Sequence, residues 1–376
     1  MLKRRQYPAS HDARTRLVIK RSNSGNAGFG NAGRIFMANS RENVRRRCCD
    51  MTELDLTILF AGVVAGAAPI VLATLGETVT EKAGIINLSL DGTILLSAMA
   101  AFVVALETNN ILLGFAFAAL VGGIVAAIVA FFSIYLNQSQ VAVGFVLTLM
   151  TRDLAYFLGN SYSRLQGPQV VPLPVPLLKD IPFFGQIFFN QNLLVYFSLA
   201  MIIFCWWYMY RTPLGLQLRS VGENPRASYA RGINPKKLQM MYSICGGLLV
   251  GLAGATFSLS VKPGWGRPQG AEGVGWIALV LVIFGGWNPI KAAMGAYLFS
   301  FLQVIGIYCQ GWLPSVPAQV FQVAPFPLMI FTLLVMSLAQ KESVVNWAED
   351  HIRMKSILAF FSGSVPTSLG KPFRQD

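Results

Sequence analysis

The chain alternates long apolar runs with short polar interruptions over most of its length. Apolar stretches occupy 54–75, 93–106, 111–136, 141–159, 192–210, 239–261, 290–310 and 320–339. Several reach the ~20 residues a helix needs to cross the hydrocarbon core of a bilayer. Their continuity lacks the alternation that a membrane β-barrel strand requires. The pattern predicts an all-α polytopic membrane protein with the lipid bilayer as its surroundings. Two stretches fit less simply. Residues 76–92 are half polar yet run straight into an apolar segment. Residues 276–286 are apolar but too short to cross alone before Trp287-Asn-Pro289 interrupts them.

The polar interruptions order the spans. Between 211 and 237 lies an island with Arg211, Arg219, Arg226, Arg231, Lys236 and Lys237 against one acid, Glu223. Short basic loops stay on the cytoplasmic side. Inside the island, Asn224 suits an N-cap, Pro225 a first helical turn and Gly232 a left-handed stop, so 226–231 reads as a short helix. The grammar fits a helix that transmits force to a soluble partner; a basic loop that only sets topology is the alternative. Residues 160–191 are Pro-rich and nearly uncharged, as an outside loop can be. If the basic stretch before Met51 shares the island's side, an even number of crossings separates them. Five are clear, which makes 80–91 a short or broken element returning towards the cytoplasm. Counting 276–286 as a short crossing gives about ten in all, with both termini cytoplasmic.

Composition refines this picture. Only 12% of the 376 residues are charged and 54% are hydrophobic, against about 25% charged in a soluble domain. The net charge of +13 is uneven, with twelve of thirty Lys and Arg before Met51. It therefore reads as loops and tail and not as a nucleic-acid surface. Residues 1–50 carry too little apolar content to bury a core. They form a disordered basic leader, and Met51-Thr-Glu-Leu-Asp-Leu looks like the natural start. The division is then 1–50 leader, 51–340 membrane domain and 341–376 cytoplasmic tail.

Candidate chemistry is sparse. The only histidines, His11 and His351, lie outside the spans, and no pair among the five cysteines has metal-ligand spacing, so no metal site is expected. There is no Gly-x-x-x-x-Gly-Lys-Ser/Thr loop; the string 363–371 is misspaced and is followed by Pro372. The chain is expected not to be an enzyme and not to hydrolyse ATP. Ionisable residues within spans mark pathways or pairs. They cluster at Glu77, Glu81, Lys82 and Asp91, with Arg152-Asp153 elsewhere. Glu81-x-x-Gly84-Ile-Ile-x-Leu88 is echoed by Glu272-x-x-Gly275-Trp-Ile-x-Leu279. Transporters built from repeats place their pathway at paired broken elements. The alternative use of Glu81 and Asp91 is in a secondary transporter or channel.

Four blocks carry a family resemblance. They are Glu81-Lys-Ala-Gly-Ile-Ile-Asn-Leu-Ser-Leu-Asp-Gly92, Gly222-Glu-Asn-Pro-Arg-Ala with Arg231-Gly-Ile233, Gly275-Trp-Ile-Ala-Leu with Phe284-Gly-Gly-Trp-Asn-Pro289, and Pro366-Thr-Ser-Leu-Gly-Lys-Pro372. From about Leu56 onward the chain resembles permease subunits of ABC importers for branched-chain amino acids, simple sugars and nucleosides. The segment from Asp180 to Asn192 points to the nucleoside and simple-sugar branch. Asp91 stands where that family more often has Glu. The resemblance implies a BtuC-like (type II) importer permease in a bacterial inner membrane. It also implies a separate ATPase subunit that binds the ATP, a second permease chain that is probably different, an extracytoplasmic substrate-binding protein, and no cofactor in this chain. It names Gly222, Glu223, Asn224, Pro225, Arg226, Ala227, Gly232 and Ile233 as the ATPase-coupling loop. Around the pathway it places the broken elements with Glu81, Asn87, Asp91, Glu272, Trp276 and Asn288, and a neutral polar cargo, a nucleoside or simple sugar.

Overall fold

The computed structural model describes residues 56–176, 181, 184–312, 365–371 and 373, with single helical positions between 320 and 334. The chain divides into Met1–Leu54 and Asp55–Asp376, and the described residues all belong to the second unit. Most of the expected 320–339 span, the leader and most of the tail lie outside the described residues.

Helices α1 (Leu56–Lys82), α2 (Leu90–Thr108), α3 (Ile111–Ile134), α4 (Gln140–Gly159) and α6 (Leu193–Arg211) are joined by short turns and one long loop. That loop contains the one-turn α5 (Phe184–Phe188). The island forms α7 (Pro213–Glu223) and α8 (Pro225–Ala230). Then come α9 (Pro235–Thr256), which continues as a π-turn through Val261, the short α10 (Val274–Phe284) and α11 (Pro289–Trp312). Seven helices are long and apolar enough to cross a membrane, and α10 is a shorter apolar one. The expected ten crossings are not reached among the described residues.

The main departure is at 76–92. Helix α1 does not stop at Leu75 but runs through Glu77 and Glu81 to Lys82. The Thr74 and Thr78 hydroxyls donate to the carbonyls of Ile70 and Thr74, both at 2.7 Å, and Thr80 donates to Gly76 at 3.1 Å. Such return bonds satisfy buried hydroxyls without ending a helix. The polar groups are therefore packed in protein, as membrane depth demands. However, 80–91 is the end of one helix, a seven-residue reversal and the start of the next, and not a separate crossing.

Removing that crossing changes the parity. The start of α1 lies with the Pro-rich loop, because Gln191 Nε2 donates to the Ala61 carbonyl at 3.1 Å. Its end lies with the island, where a Cβ on Gly222 would meet the Lys82 carbonyl. Leu56 and the island thus sit at opposite ends of the bundle. The expectation that both chain termini lie on the island's side concerns residues outside the described ones; the described chain starts, at Leu56, at the end of the bundle opposite the island.

Helix α9 is the central packing element, and its glycines make it so. A Cβ on Gly246 would strike the Gly76 carbonyl, one on Gly247 or Gly251 the backbone of α3, and one on Gly254 the Ile94 carbonyl of α2. Close approach through small residues is how helices associate where lipid is as apolar as the helices themselves. On α1, Gly66 packs against Ser300 of α11, whereas Gly62 faces open space. Phe102, Phe299, Leu72, Leu75 and Leu95 fill the interior. Helices α4 and α6 turn large apolar side chains outward, among them Phe157 and Ile203.

Candidate functional site

Three features stand out, at the island end, in the interior and at the opposite end. At the island end, Asn224 Oδ1 accepts from the Ala227 N–H at 3.0 Å, Pro225 occupies the first turn of α8, and Gly232 has φ +83°. An N-cap of this kind stabilises a helix by ~1 kcal/mol, so a six-residue helix holds its shape. Its two faces differ. Ser228 is buried and donates to the Asn224 carbonyl at 3.0 Å, whereas Asn224, Arg226, Ala227 and Tyr229 are exposed. Gly222 is buried against Lys82, and the Glu223 carboxylate is held by Thr367 at 2.8 Å. Both tie the island to the rest of the bundle, Gly222 from a buried position and Glu223 from an exposed one. Ile233 is half-buried.

In the interior, the two broken elements meet start to start. Asp91 Oδ1 accepts the N–H of Gly273 at 2.7 Å and of Gly275 at 3.3 Å. A Cβ on Gly275 would strike the backbone of Leu90 and Asp91. Asp91 thus stands in the first turn of α2 and also caps α10, where a negative group is favoured at both helix starts. Nearby, the Asn87 N–H donates to Glu77 Oε1 at 2.9 Å, and Asn87 Oδ1 accepts from Ser89 Oγ at 2.6 Å. Glu81 Oε2 accepts from Trp287 Nε1 at 2.5 Å, which ties the end of α1 to the turn between α10 and α11. Asn288 caps α11 through the Ile290 N–H at 3.0 Å, and Trp276 packs beside Phe145. The echo of Glu81–Leu88 in Glu272–Leu279 is not structural. Gly84 ends a helix with φ +94°, whereas Gly275 lies in the first turn of one.

At the opposite end, a cavity of about 820 Å³ lies between α4, the 262–273 loop, α10 and α11. Its polar lining is Arg152, Tyr156, Lys262, Arg267, Glu272, Gln303 and Gln310. Glu272 is already engaged. It accepts from the Tyr156 hydroxyl, from Gln269 N–H at 2.8 Å and from Gly270 N–H at 2.6 Å. Burial pushes its carboxyl up, but these bonds outweigh burial and hold it below the usual carboxylate range. The Arg267 guanidinium lies 4.8 Å over the Tyr156 ring, and Arg152 Nε has no hydrogen-bond partner among the described residues. Of the expected site residues only Glu272 lines this cavity. Glu81, Asn87 and Asp91 belong to the interior junction, and Trp276 and Asn288 flank it. Gln303, Gly306 and Gln310 went unread, although their spacing puts them on one helix face.

The family model described as branched-chain amino acid transport system / permease component matches residues 59–333. The chain belongs to this family. It is a permease subunit of an ABC transporter, a transport component and not an enzyme. The putative glucose ABC transporter permease protein TsgC13 of Haloferax volcanii is 36% identical over 67% of this chain and 78% of its own length. The nucleoside ABC transporter permease protein NupC of Lactococcus lactis is 31% identical over 80% of this chain and 98% of its own. The guanosine ABC transporter permease protein NupQ of Bacillus subtilis is 29% identical over 74% and 91%. No solved structure matches the chain.

Proposed function

We propose that this permease carries a neutral polar solute, a nucleoside in preference to a simple sugar, and is driven by a separate ATPase subunit that docks on α8. The carrying observation is a pairing. A capped helix with a solvent-exposed outer face stands at one end of the bundle, and a donor-lined cavity at the other. The outer face of α8, formed by Asn224, Arg226 and Ala227, supplies the ATPase contact, with Pro225, Gly232 and Ile233 shaping it. Gly222 and Glu223 fix it to the bundle. The island end is then cytoplasmic. The cavity and the 160–191 loop face the outside, where a substrate-binding protein delivers cargo, and α1 starts from that outer side. A second permease chain packs on the outward apolar faces and completes the pathway. ATP is bound by the partner, with no cofactor in this chain.

The cavity favours a nucleoside on hydrogen-bond grounds. Arg and Lys side chains are donors only. With Glu272 engaged, the side chains lining it offer few free acceptors beyond the amide oxygens of Gln303 and Gln310. A hexose presents about five hydroxyls, each an acceptor but also a donor in need of a partner, against about three on the ribose of a nucleoside. A nucleobase with carbonyl and ring-nitrogen acceptors suits guanidinium donors, and its flat face suits the Arg267–Tyr156 stack. The relatives named for nucleosides and guanosine point the same way, while those named for glucose keep sugars as the competing cargo. The test is ATP-dependent uptake of labelled guanosine, uridine and glucose by the assembled transporter, with wild-type and Arg152→Gln permease. Nucleoside uptake that exceeds glucose uptake and falls in the variant supports the reading. Preferred glucose uptake overturns it.

A further inference from the structure

We propose that residues 366–371 are a tie that transmits pulling motion from the docking helices to the α1–α2 junction, with Thr367 and Ser368 as its positioning residues. The inference rests on the docking role proposed for α8. The segment bonds to two pieces of chain far apart in sequence. Towards the island, the Thr367 N–H and hydroxyl both donate to Glu223 Oε2, at 3.2 and 2.8 Å. The Ser368 N–H donates to the Gly222 carbonyl at 3.1 Å. The Ser368 hydroxyl reaches the carbonyls of Gly222 at 2.5 Å and Val221 at 3.2 Å. Towards the junction, the Gly370 N–H donates to the Gly84 carbonyl at 3.1 Å, with Gly370 at φ +75° and Gly84 at φ +94°. Turn bonds from Leu369 to Pro366 and from Lys371 to Ser368 hold the segment compact. Tyr229 of α8 meets Phe373 with ring centroids 5.9 Å apart.

Val221 and Gly222 are in the last turn of α7, where carbonyls have no partner within the helix. Both residues are buried, so water cannot serve them. Ser368 fills that need and converts a helix end into an attachment point. The α7–α1 contact is close packing of Gly222 on Lys82, beside an attraction between the Lys82 and Glu223 charges. Packing transmits a push but resists separation only through weak dispersion and that one charge attraction. Hydrogen bonds resist separation. The tie therefore makes the linkage work in both directions. When the docking helices move outward, Ser368 and Gly370 draw Gly84 with them. Gly84 lies seven residues before Asp91, where the two broken elements meet.

The test uses the complete transporter in proteoliposomes with Thr367→Val, Ser368→Ala and the double variant. None of these side chains lies on the outer face of α8. The expected result is normal assembly, retained ATPase and basal hydrolysis within about two-fold of wild type. Solute moved per ATP should fall about ten-fold in the double variant, as expected for losing the exposed Thr367 hydroxyl bond and the buried Ser368 hydroxyl shared between two carbonyls. Thr367→Ser should restore most of the coupling lost in Thr367→Val. An unchanged solute-to-ATP ratio in the double variant overturns the proposal. So does loss of the ATPase on purification, which would make the segment a support for folding only. Ala227→Glu in the same assay separates the two levels: if it keeps both the ATPase and transport, the docking reading has failed and not the tie alone.

Discussion

Asp91 separates an acceptor from a proton carrier. Its Oδ1 receives two N–H groups at the start of α10, at 2.7 and 3.3 Å. Asp91→Asn keeps an acceptor oxygen in place and removes the charge. Hydrogen bonds to charged groups contribute about 1.5–3 kcal/mol against about 1 for neutral ones, so the substitution costs about 1 kcal/mol at the shorter bond and less at the longer. Asp91→Ala leaves both N–H groups unserved. At about 1–3 kcal/mol for each buried unsatisfied group, it costs about 2–6 kcal/mol. It also frees α10 from α2. Thermal denaturation of the purified protein, followed by size-exclusion recovery, reads the stability difference. ATP-driven uptake reads the function. The structure predicts that Asp91→Asn keeps most of the stability and at least about half of the uptake, whereas Asp91→Ala loses both. A carrier that used Asp91 to move a proton would need the titrating group itself. Asp91→Asn abolishing uptake as completely as Asp91→Ala, in a fully stable protein, would refute the capping role.

Trp287→Phe keeps the ring volume but removes the donor to Glu81, which should lower stability by about 1–3 kcal/mol. Adding Glu81→Gln to that variant should recover part of the loss in a double-mutant cycle. In a background without native cysteines, single cysteines at Leu56 and Asn109 should react with an impermeant maleimide added outside, and one at Ala230 only after permeabilisation. Labelling of Ala230 but not Asn109 in intact cells would invert the topology. Gly275→Val should separate α10 from α2, because its side chain would occupy the backbone of Leu90 and Asp91. Uptake should fall at least about ten-fold even in protein that remains folded.

What could be read in advance was local. Asn224, Pro225 and Gly232 specify α8 by their own backbone and side-chain chemistry, so the short helix is visible without any neighbour. The long apolar helices are equally visible. The continuation of α1 through Glu77 and Glu81 is not, because it depends on partners brought from elsewhere: the Asn87 N–H and the Trp287 indole. Hydropathy sees an interruption there, and only tertiary contacts show that it is paired. The side on which α1 starts is hidden for a related reason: it shows in the Gln191–Ala61 bond and not in the charge near the terminus. The cavity leaves no mark in the sequence because its lining comes from four separate segments. The block at 366–372 is visible as a pattern, but its contacts are with Gly84 and Gly222, which lie more than 100 residues away.

The central claim is that α8 docks an ATPase whose cycle drives this permease. Ala227 is exposed on the outer face of α8, and Ala227→Glu would place an unpaired charge in a packed interface. That penalty is about 3–5 kcal/mol, a loss of affinity of more than about a hundred-fold. The direct measurement is co-purification of the ATPase with wild-type and Ala227→Glu permease from the same membranes, paired with uptake in those membranes. The account predicts equal amounts of inserted permease, loss of the ATPase from the variant and loss of ATP-dependent uptake. Undiminished uptake by an Ala227→Glu permease that retains no ATPase would contradict it.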